Sequence, residues 1–500
     1  MMKIKPITKS ILVLTLAVLL PFTAISAFYY RPLYAPVYMD PSESMNGFVG
    51  QLETKISALL DTNTVPGAAI AIVSENQTKI ITAGKANLFT NEPLTPQHMF
   101  QIASMSKTQC AFAIMKLVQE GLIHLDAPIE WYLTRWSFPD SEFNTSAVTV
   151  RRMLCHAAGI SLEGVSGVFN PDDVPVIEDA LTESGVSLIF DPGSVFSYSG
   201  GAFGILQLLI EEVSGMSYDE YLRSEVFEPL NMLNTTTGWS ASIEDRLAVG
   251  YSNMLLPTVR TYPAMKSAAG HYSTIEDMAK WVNYLLDGQS IVNSSNMVAM
   301  YTPQWGETWG WTLGFNYKVL SNGVLTLGHG GDNWGYHGAY RFAPETGDAI
   351  IVLTNGDRGA AFVTELLHYW EAIIGEEDLG PLWEEKSQTY AQTFLFQSVT
   401  VVGFLALLLI AGYRGSIVLP PYSERKEPRI GKWFRRGVSA ICVLAIILLV
   451  IYWGYTPLSP ISYGPISYVL TVIVPLLWLT WTAVAFQRFH LVWDETQMKP

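Results

Sequence analysis

The spacing of apolar residues along the chain predicts one α+β domain that spans residues 45–380. A period near 3.6 residues predicts helices at 48–60, 109–122, 202–213, 218–227, 274–286 and 360–374. Short apolar runs bounded by turn residues predict strands at 68–73, 79–83, 324–329, 338–342 and 348–354. Because strands at both ends enclose a helical middle, we expect a mostly antiparallel sheet flanked by helices, with a helical subdomain inserted.

Longer apolar runs outside this domain predict membrane segments. Residues 1–30 combine an early basic segment, an apolar run at 11–20 and small residues within 24–27. This layout is typical of a secretory signal peptide, and an uncleaved membrane anchor is the alternative. Charged residues are absent from 387–413 and from 437–487, which predicts three transmembrane helices within residues 388–488.

The loop at 414–436, between the first two of these helices, is rich in lysine and arginine. By the positive-inside rule this loop is cytoplasmic, which places the 45–380 domain on the outer side of the membrane. We therefore expect a multi-pass protein of the cell membrane, in contact with the lipid bilayer, whose folded domain is extracytoplasmic.

Composition narrows the classes of partner. The chain of 500 residues has a formal net charge of -15, which argues against nucleic acid because such partners select basic surfaces. Its three cysteines, Cys110, Cys155 and Cys442, are too few for a disulfide framework and match no metal-binding spacing. Cys110 and Cys155 are expected to be buried free thiols, with a disulfide between them as the alternative.

Ser104 and Lys107 form the candidate nucleophile pair. If Ser104 opens a helix, a spacing of three residues puts both side chains on one face. A partly desolvated lysine has a lowered pKa and can take the proton of a serine hydroxyl, while free backbone N–H groups at the helix start can hold an oxyanion. The pattern is short, and Ser423–Lys426 repeats it in a charged stretch, so it needs further support.

Two more segments supply candidate partners for Ser104. Tyr198, just before a glycine pair and a predicted helix, is suited to pass a proton between Ser104 and a leaving group. The run at 328–332 ends an apolar strand in glycines, and bare backbone there lets a substrate pair with the strand and donates an N–H toward an oxyanion. Within this run, His329 is expected to hydrogen-bond a substrate carboxylate or Tyr198.

The order Ser-x-x-Lys, Tyr-Ser-x, His-Gly-Gly resembles that of the serine β-lactamase-related hydrolases. This group spans class C β-lactamases, D-alanyl-D-alanine carboxypeptidases, D-aminopeptidases and related esterases. Similar segments extend the resemblance over the whole soluble domain; they lie at 65–68, 121–133, 150–160, 217–233 and 268–274.

The resemblance implies a role for each motif residue, and it implies no metal or cofactor. Ser104 would be the acylated nucleophile, and Lys107 and Tyr198 would share the acid and base roles, with the acceptor of the serine proton left open. The backbone N–H groups of Ser104 and Asp332 would form the oxyanion hole. His329 is expected to complete the catalytic set with Ser104, Lys107 and Tyr198. The expected substrate-contacting residues are Ser199, Gly200, Gly330 and Gly331.

The sequence departs from the family pattern at two positions. Gly200 stands where the tyrosine motif usually ends in Asn, so recognition of a substrate amide through that side chain is not expected. His329 stands where the family's β-lactamases usually carry lysine, which favours a peptidase or esterase over a β-lactamase. An unperturbed histidine would hold a carboxylate better below about pH 6.5, and such substrates would then be turned over faster there.

Three other interpretations remain open. Cys155 with His156 suggests a thiol nucleophile, although neighbours in sequence seldom face each other. A metal site could be formed by His329, Asp332 and His337. A pocket wall or ordinary packing would explain the tryptophans at 305, 309, 311 and 334.

The sequence therefore predicts a membrane-anchored serine hydrolase that forms an acyl-enzyme on Ser104. By resemblance and location, peptides ending in D-Ala-D-Ala, as in cell walls, are the expected substrates. An esterase or a weak β-lactamase is the alternative within the same class. A non-catalytic sensor of peptides or β-lactams is the alternative from another class, and turnover distinguishes it from the others.

Overall fold

A computed structural model describes residues 37, 39–40, 44–161, 167–253, 255–287 and 290–375. They belong to one unit, Val37–Leu379. The predicted signal segment or anchor, the basic loop at 414–436 and the three predicted transmembrane helices lie outside the described residues. Within those residues, no helix is long and apolar enough to cross a membrane.

The main sheet is built from strands at the two ends of this unit, as the sequence predicts. Its nine strands are β1 (Gly67–Ser74), β2 (Gln77–Asn87), β3 (Glu92–Pro93), β8 (Trp305–Gly306), β9 (Trp309–Trp311), β10 (Asn316–Val319), β11 (Leu325–Asn333), β12 (Tyr336–Ala343) and β13 (Asp348–Thr354). Their order is β3-β2-β1-β13-β12-β11-β10-β9-β8, with antiparallel neighbours throughout. The pairing of β1 with β13 joins the strands from the two ends of the unit into one sheet.

The helices lie before, between and after these strands in the sequence. They are α1 (Met45–Asn63), α2 (Ser106–Gln119), α3 (Val150–Leu154), α4 (Ile177–Glu183), α5 (Gly200–Ser214), α6 (Tyr218–Leu222), α7 (Lys266–Ala269), α8 (Ile275–Asp287), α9 (Ser294–Tyr301) and α10 (Gly359–Gly375). Two small sheets pair β4 (Met99–Gln101) with β7 (Tyr272–Thr274) and β5 (Gly167–Val168) with β6 (Tyr262–Pro263). The helix predicted at 218–227 is shorter than expected, because its second half, Arg223–Phe227, is a π-helical turn.

Local sequence signals explain where several helices begin and end. The Ser44 side chain accepts from the N–H of Gly47 at the start of α1. Ser217 and Glu220 form a capping box on α6, which satisfies backbone groups that the first turn leaves free. Gly215, with a φ of 69°, ends α5 in the left-handed conformation that glycine adopts without strain.

Helix α2 is the central helix of the domain. Its sequence predicts an amphipathic helix, but every residue from Ser106 to Met115 is buried. A helix buried on all sides must satisfy its polar side chains internally. Thr108 donates to the carbonyl of Met105, and Gln109 hydrogen-bonds the ring of His271 at 2.6 Å. The start of α2 is therefore a buried, internally hydrogen-bonded part of the core.

Candidate active site

Ser104 lies in a tight turn between β4 and α2. Ala103–Met105 form a single 3-10 turn, and Ala103 has a φ of 47°, in the left-handed region that non-glycine residues seldom adopt. Such strain costs on the order of 1–3 kcal/mol and is common at active sites. The Ser106 hydroxyl holds the turn, because it donates to the Ala103 carbonyl at 2.6 Å and accepts from the His271 N–H at 3.1 Å.

Ser104 is also the one residue between positions 98 and 115 that is not buried. The turn therefore brings a single hydroxyl to the surface of an otherwise closed core.

Lys107 is brought against this hydroxyl, as the spacing predicts. Its Nζ lies 3.2 Å from Ser104 Oγ and donates to the carbonyl of Ala268 at 2.7 Å. The side chain is 2% exposed, and burial lowers the pKa of Lys107 to about 7. A carbonyl only accepts, so one N–H points at Ala268 and the lone pair of the neutral amine can face Ser104. The pair therefore has the geometry and the pKa that proton transfer at neutral pH requires.

Tyr198 lies close to the Lys107 amine. The Lys107 Nζ is 4.9 Å from the centroid of the Tyr198 ring, and the ring of His156 packs on the same tyrosine at 4.3 Å. His156 also holds the adjoining backbone: its carbonyl accepts from Ser197 and its Nδ1 accepts from the N–H of Ser199. His156 thus positions residues 197–199, the tyrosine segment.

The thiol alternative fits this geometry poorly. Burial raises the pKa of Cys155 to about 11, so the thiol stays protonated at neutral pH. The neighbouring His156 directs Nδ1 to the backbone of the tyrosine segment instead. Cys155 and Cys110 are both buried free thiols, as the sequence predicts.

Ser199 and Gly200 occupy the first turn of α5. The Ser199 hydroxyl accepts from the N–H of Ala202 at 2.9 Å and donates to the carbonyl of Ser161 at 2.7 Å. The Ser199 hydroxyl therefore caps α5, and the predicted contact of Ser199 with a substrate stays a prediction. Gly200 is the first residue of the helix and is buried.

Strand β11 passes directly over the nucleophile turn. A Cβ added to Gly331 would lie 2.2 Å from the carbonyl oxygen of Ile102 and 3.3 Å from the Cβ of Ala103, so only glycine permits this approach. Strand β10 pairs with β11 no further than Gly328. From Gly330 to Asn333, within the described part of the chain, β11 therefore pairs with β12 alone, and its other backbone edge has no strand partner.

This close approach gives a prediction for Gly331→Ala. The added methyl group must push β11 away from the Ser104 turn, and a displacement of about 1 Å at a catalytic site can cost about 10²-fold in rate. We expect kcat/KM to fall by that order and thermal stability to fall with it. Gly330→Ala is the matched control for stability, since the nearest atom to its added Cβ is 3.9 Å away. Equal thermal midpoints for the two variants would contradict the packing argument.

His329 is more buried, and its pKa is lower, than the sequence leads one to expect. It is 4% exposed, its Nδ1 lies 2.6 Å from the carbonyl of Gly330, and its ring is 6.4 Å from that of Tyr198. Burial, and then the charge of Lys107, lowers the pKa of His329 to about 3. Burial therefore removes the premise of the expected gain in turnover of carboxylate substrates below pH 6.5, because it keeps the His329 ring neutral there.

Asp332 ends the glycine run and pairs with His337 across the sheet. Burial alone would lower the pKa of His337, but hydrogen bonds to Asp332 and Asp357 outweigh it and raise the pKa to about 9. The resulting ion pair ties the end of β11, which carries the predicted oxyanion N–H, to β12. The metal-site alternative needs His329 to join Asp332 and His337, but the His329 ring lies against Tyr198 and Trp311. Among the described residues, no three metal-binding side chains converge.

The tryptophans divide between packing and exposure. Trp311 is 6% exposed and packs against Phe196, Tyr198 and His329. Trp309, two residues earlier, is 58% exposed. Trp311 therefore forms part of the wall beside Tyr198, whereas Trp309 projects toward solvent.

The sequence did not reveal two residues that join the segments of the site. Ala268 supplies the carbonyl that orients Lys107. Asn333 donates from Nδ2 to Gln101 at 2.9 Å and to the carbonyl of Ala269 at 3.3 Å, which links β11 to β4 and α7. A backbone carbonyl leaves no signal in the sequence. The position of Asn333 directly after the run at 328–332 is a signal that could have identified it as a site residue.

The domain that carries this site is similar to known proteins. The family model described as Beta-lactamase matches residues 52–372. Penicillin-binding protein 4 of Amycolatopsis lactamdurans is 26% identical over 345 residues, which is 65% of this chain and 89% of that protein. Protein flp of Staphylococcus aureus (strain NCTC 8325 / PS 47) is 22% identical over 483 residues, with 88% of this chain and 90% of that protein covered.

Solved structures show the same fold. The octameric penicillin-binding protein homologue from Pyrococcus abyssi has a TM-score of 0.54 at 25% identity, with 64% of this chain and 77% of that chain covered. The D-amino acid amidase from Ochrobactrum anthropi SV3, complexed with D-phenylalanine, has a TM-score of 0.55 at 24% identity, with 65% and 98% covered; this second likeness concerns the fold alone. With the Ser104–Lys107 pair inside a family match that spans most of the described domain, the chain belongs to the beta-lactamase family of serine hydrolases.

Proposed function

We propose that the protein hydrolyses an amide or ester bond through an acyl-enzyme on Ser104. The observation that carries this proposal is the contact of 3.2 Å between Ser104 Oγ and a buried lysine amine whose pKa is about 7. A hydroxyl held against such a base is the arrangement that activates a serine nucleophile.

The chemistry proceeds in two halves. Ser104 Oγ attacks the substrate carbonyl carbon and gives its proton to the neutral Lys107 amine, while the backbone N–H groups of Ser104 and Asp332 hold the oxyanion. The bond to the leaving group then breaks, and the proton that Lys107 received passes through Tyr198 to the leaving nitrogen or oxygen. Water adds to the acyl-enzyme in the second half, releases the acid and restores the serine hydroxyl.

Peptides that end in D-Ala-D-Ala are the first proposed substrates. The similarity to a penicillin-binding protein over 89% of that relative's length supports this choice. The second candidate is an esterase or amidase activity on neutral substrates, with weak β-lactamase activity included. It is favoured by one observation: the neutral His329 supplies no positive charge for a terminal carboxylate.

A substrate panel tests these activities. The purified protein is assayed with a D-Ala-D-Ala peptide, a p-nitrophenyl ester and a penicillin, each with and without the Ser104→Ala substitution. Release of D-alanine supports the peptidase proposal, and preferential ester cleavage supports the second candidate. Tight binding without turnover of any compound would contradict both and favour a sensor.

We also propose that the catalytic domain is held on the outer face of the cell membrane. The apolar runs and the basic loop at 414–436 support this arrangement. The similarity to Protein flp extends over 88% of the chain, which is more than the span matched by the family model. The match to Protein flp therefore includes residues beyond the span of the family model, which supports a shared organisation outside the catalytic domain.

Cysteine labelling in intact cells tests this location. In a Cys442→Ser background, Asp140→Cys on the exposed surface of the domain should react with an impermeant thiol reagent, since Cys110 and Cys155 are buried. Lys432→Cys in the basic loop should react only after the cells are permeabilised. The reverse pattern would place the catalytic domain in the cytoplasm and remove cell-wall peptides as substrates.

A further inference from the structure

His329 carries an unmet hydrogen-bonding atom in the wall of the site. Its Nδ1 lies 2.6 Å from the carbonyl oxygen of Gly330. A carbonyl oxygen only accepts hydrogen bonds, so Nδ1 carries the hydrogen and donates it. The other ring nitrogen, Nε2, is buried and has no hydrogen-bond partner among the described residues.

The hydrogen bond from Nδ1 determines whether Nε2 donates or accepts a hydrogen bond with a ligand. A neutral imidazole with its hydrogen on Nδ1 presents a lone pair at Nε2, so Nε2 is an acceptor. Burial keeps the ring neutral, and the nearby positive charge of Lys107 acts in the same direction. A buried acceptor without a partner is costly, and a ligand that supplies a donor removes this cost.

The His329 ring lies beside Tyr198, the residue to which the proposed reaction assigns the leaving group. The ring packs near Tyr198, at 6.4 Å between centroids, and against Trp311 at 5.3 Å. In the proposed reaction Tyr198 delivers the proton to the leaving group, so the adjacent wall faces that part of the substrate. Three charged groups act on the His329 ring: Lys107 bonds the Ala268 carbonyl, Asp332 bonds His337, and Arg341 lies 3.6 Å from Glu371.

We propose that His329 selects a leaving group that carries an N–H or O–H donor, such as a terminal carboxamide, over one that ends in a carboxylate. The inference rests on the proposed acyl-enzyme reaction, and within it favours the second candidate, neutral substrates, over peptides with a free D-Ala-D-Ala carboxylate. A carboxylate offers only acceptors, so it would meet the Nε2 lone pair with like polarity and would lose water without a replacement. A carboxamide N–H completes the hydrogen bond.

Three matched peptides test the preference. Each is N-acetyl-Lys-D-Ala-D-Ala, with the final carbonyl as a carboxylate, a carboxamide or a methyl ester, and release of the terminal residue is measured. One hydrogen bond corresponds to about two- to tenfold, so the carboxamide should exceed the methyl ester by that factor in kcat/KM. The charged peptide should be slower than both. Equal values for carboxamide and methyl ester, or a preference for the carboxylate, would overturn the proposal.

Two variants separate the role of His329 from a general effect of charge. His329→Lys replaces the acceptor with a donor and a positive charge, and it should shift the preference toward the carboxylate peptide. His124→Lys makes the same chemical change at an exposed position beyond the far end of α2, which is about 20 Å long. It should leave the wild-type order of the three substrates unchanged.

A spectroscopic readout tests the acceptor without any turnover. In protein with 15N-labelled histidine, the His329 signals are identified by their loss in His329→Gln. Nε2 should be unprotonated, and Nδ1 protonated, across the neutral pH range. A protonated Nε2 would overturn the proposal about His329. Absence of turnover with all three peptides would instead count against the proposed function.

Discussion

Ser104→Ala is expected to remove hydrolysis of every substrate that the wild-type protein cleaves. Without Oγ no acyl-enzyme forms, and residues that act as one catalytic unit lose nearly all of their combined effect when one is removed. The loss in kcat should be on the order of 10⁴-fold or more. Since Lys107 keeps its hydrogen bond to the Ala268 carbonyl, the variant should remain folded, and its thermal midpoint checks this.

The chain supplies a matched control for this substitution. Ser423 and Lys426 repeat the Ser-x-x-Lys spacing outside the described domain. Ser423→Ala should keep wild-type turnover. If Ser104→Ala retained activity and Ser423→Ala lost it, the nucleophile would be assigned to the wrong pair.

Lys107→Ala should lower kcat/KM by about 10²- to 10⁴-fold, the usual contribution of a general base. The lone pair of the neutral amine does this work, so activity of the wild-type protein should rise with pH through about 7 and then level off. Lys107→Arg should be as impaired as Lys107→Ala, because an arginine keeps the positive charge but does not lose its proton. Steady-state kinetics across this pH range measure both effects.

The opposite pH dependence would change the assignment. If activity fell as the pH rose through 7, and if Lys107→Arg kept most of it, Lys107 would act through its charge. The serine proton would then go to Tyr198, which the sequence left as the alternative base.

Local patterns explain why much of the fold could be predicted. Strand β1 is a buried apolar run bounded by a Pro-Gly turn, and α8 begins where Thr274 accepts from the N–H of Asp277. Strands β8 and β9 were missed because they are short and consist of glycine and tryptophan, and β10 because four residues are too few to show the alternation that marks a longer strand.

In the site, too, contacts between neighbours in sequence could be predicted, whereas contacts between distant segments could not. The Ser104–Lys107 contact follows from a spacing of three residues within one helical segment. The carbonyl that orients Lys107 is 161 residues away, and the close approach of Gly331 to Ile102 depends on how the sheet packs. The charge of His329 depends on its burial, which its position in a glycine-rich motif does not reveal.

Mapping the covalent adduct tests the central claim most directly. The protein is treated with a fluorophosphonate or a slowly released β-lactam, digested, and examined by tandem mass spectrometry. The account predicts one adduct per molecule, on the peptide that contains Ser104, with much slower formation in Lys107→Ala. A stoichiometric adduct on another residue, such as Ser423 or Cys155, with Ser104 unmodified, would contradict it.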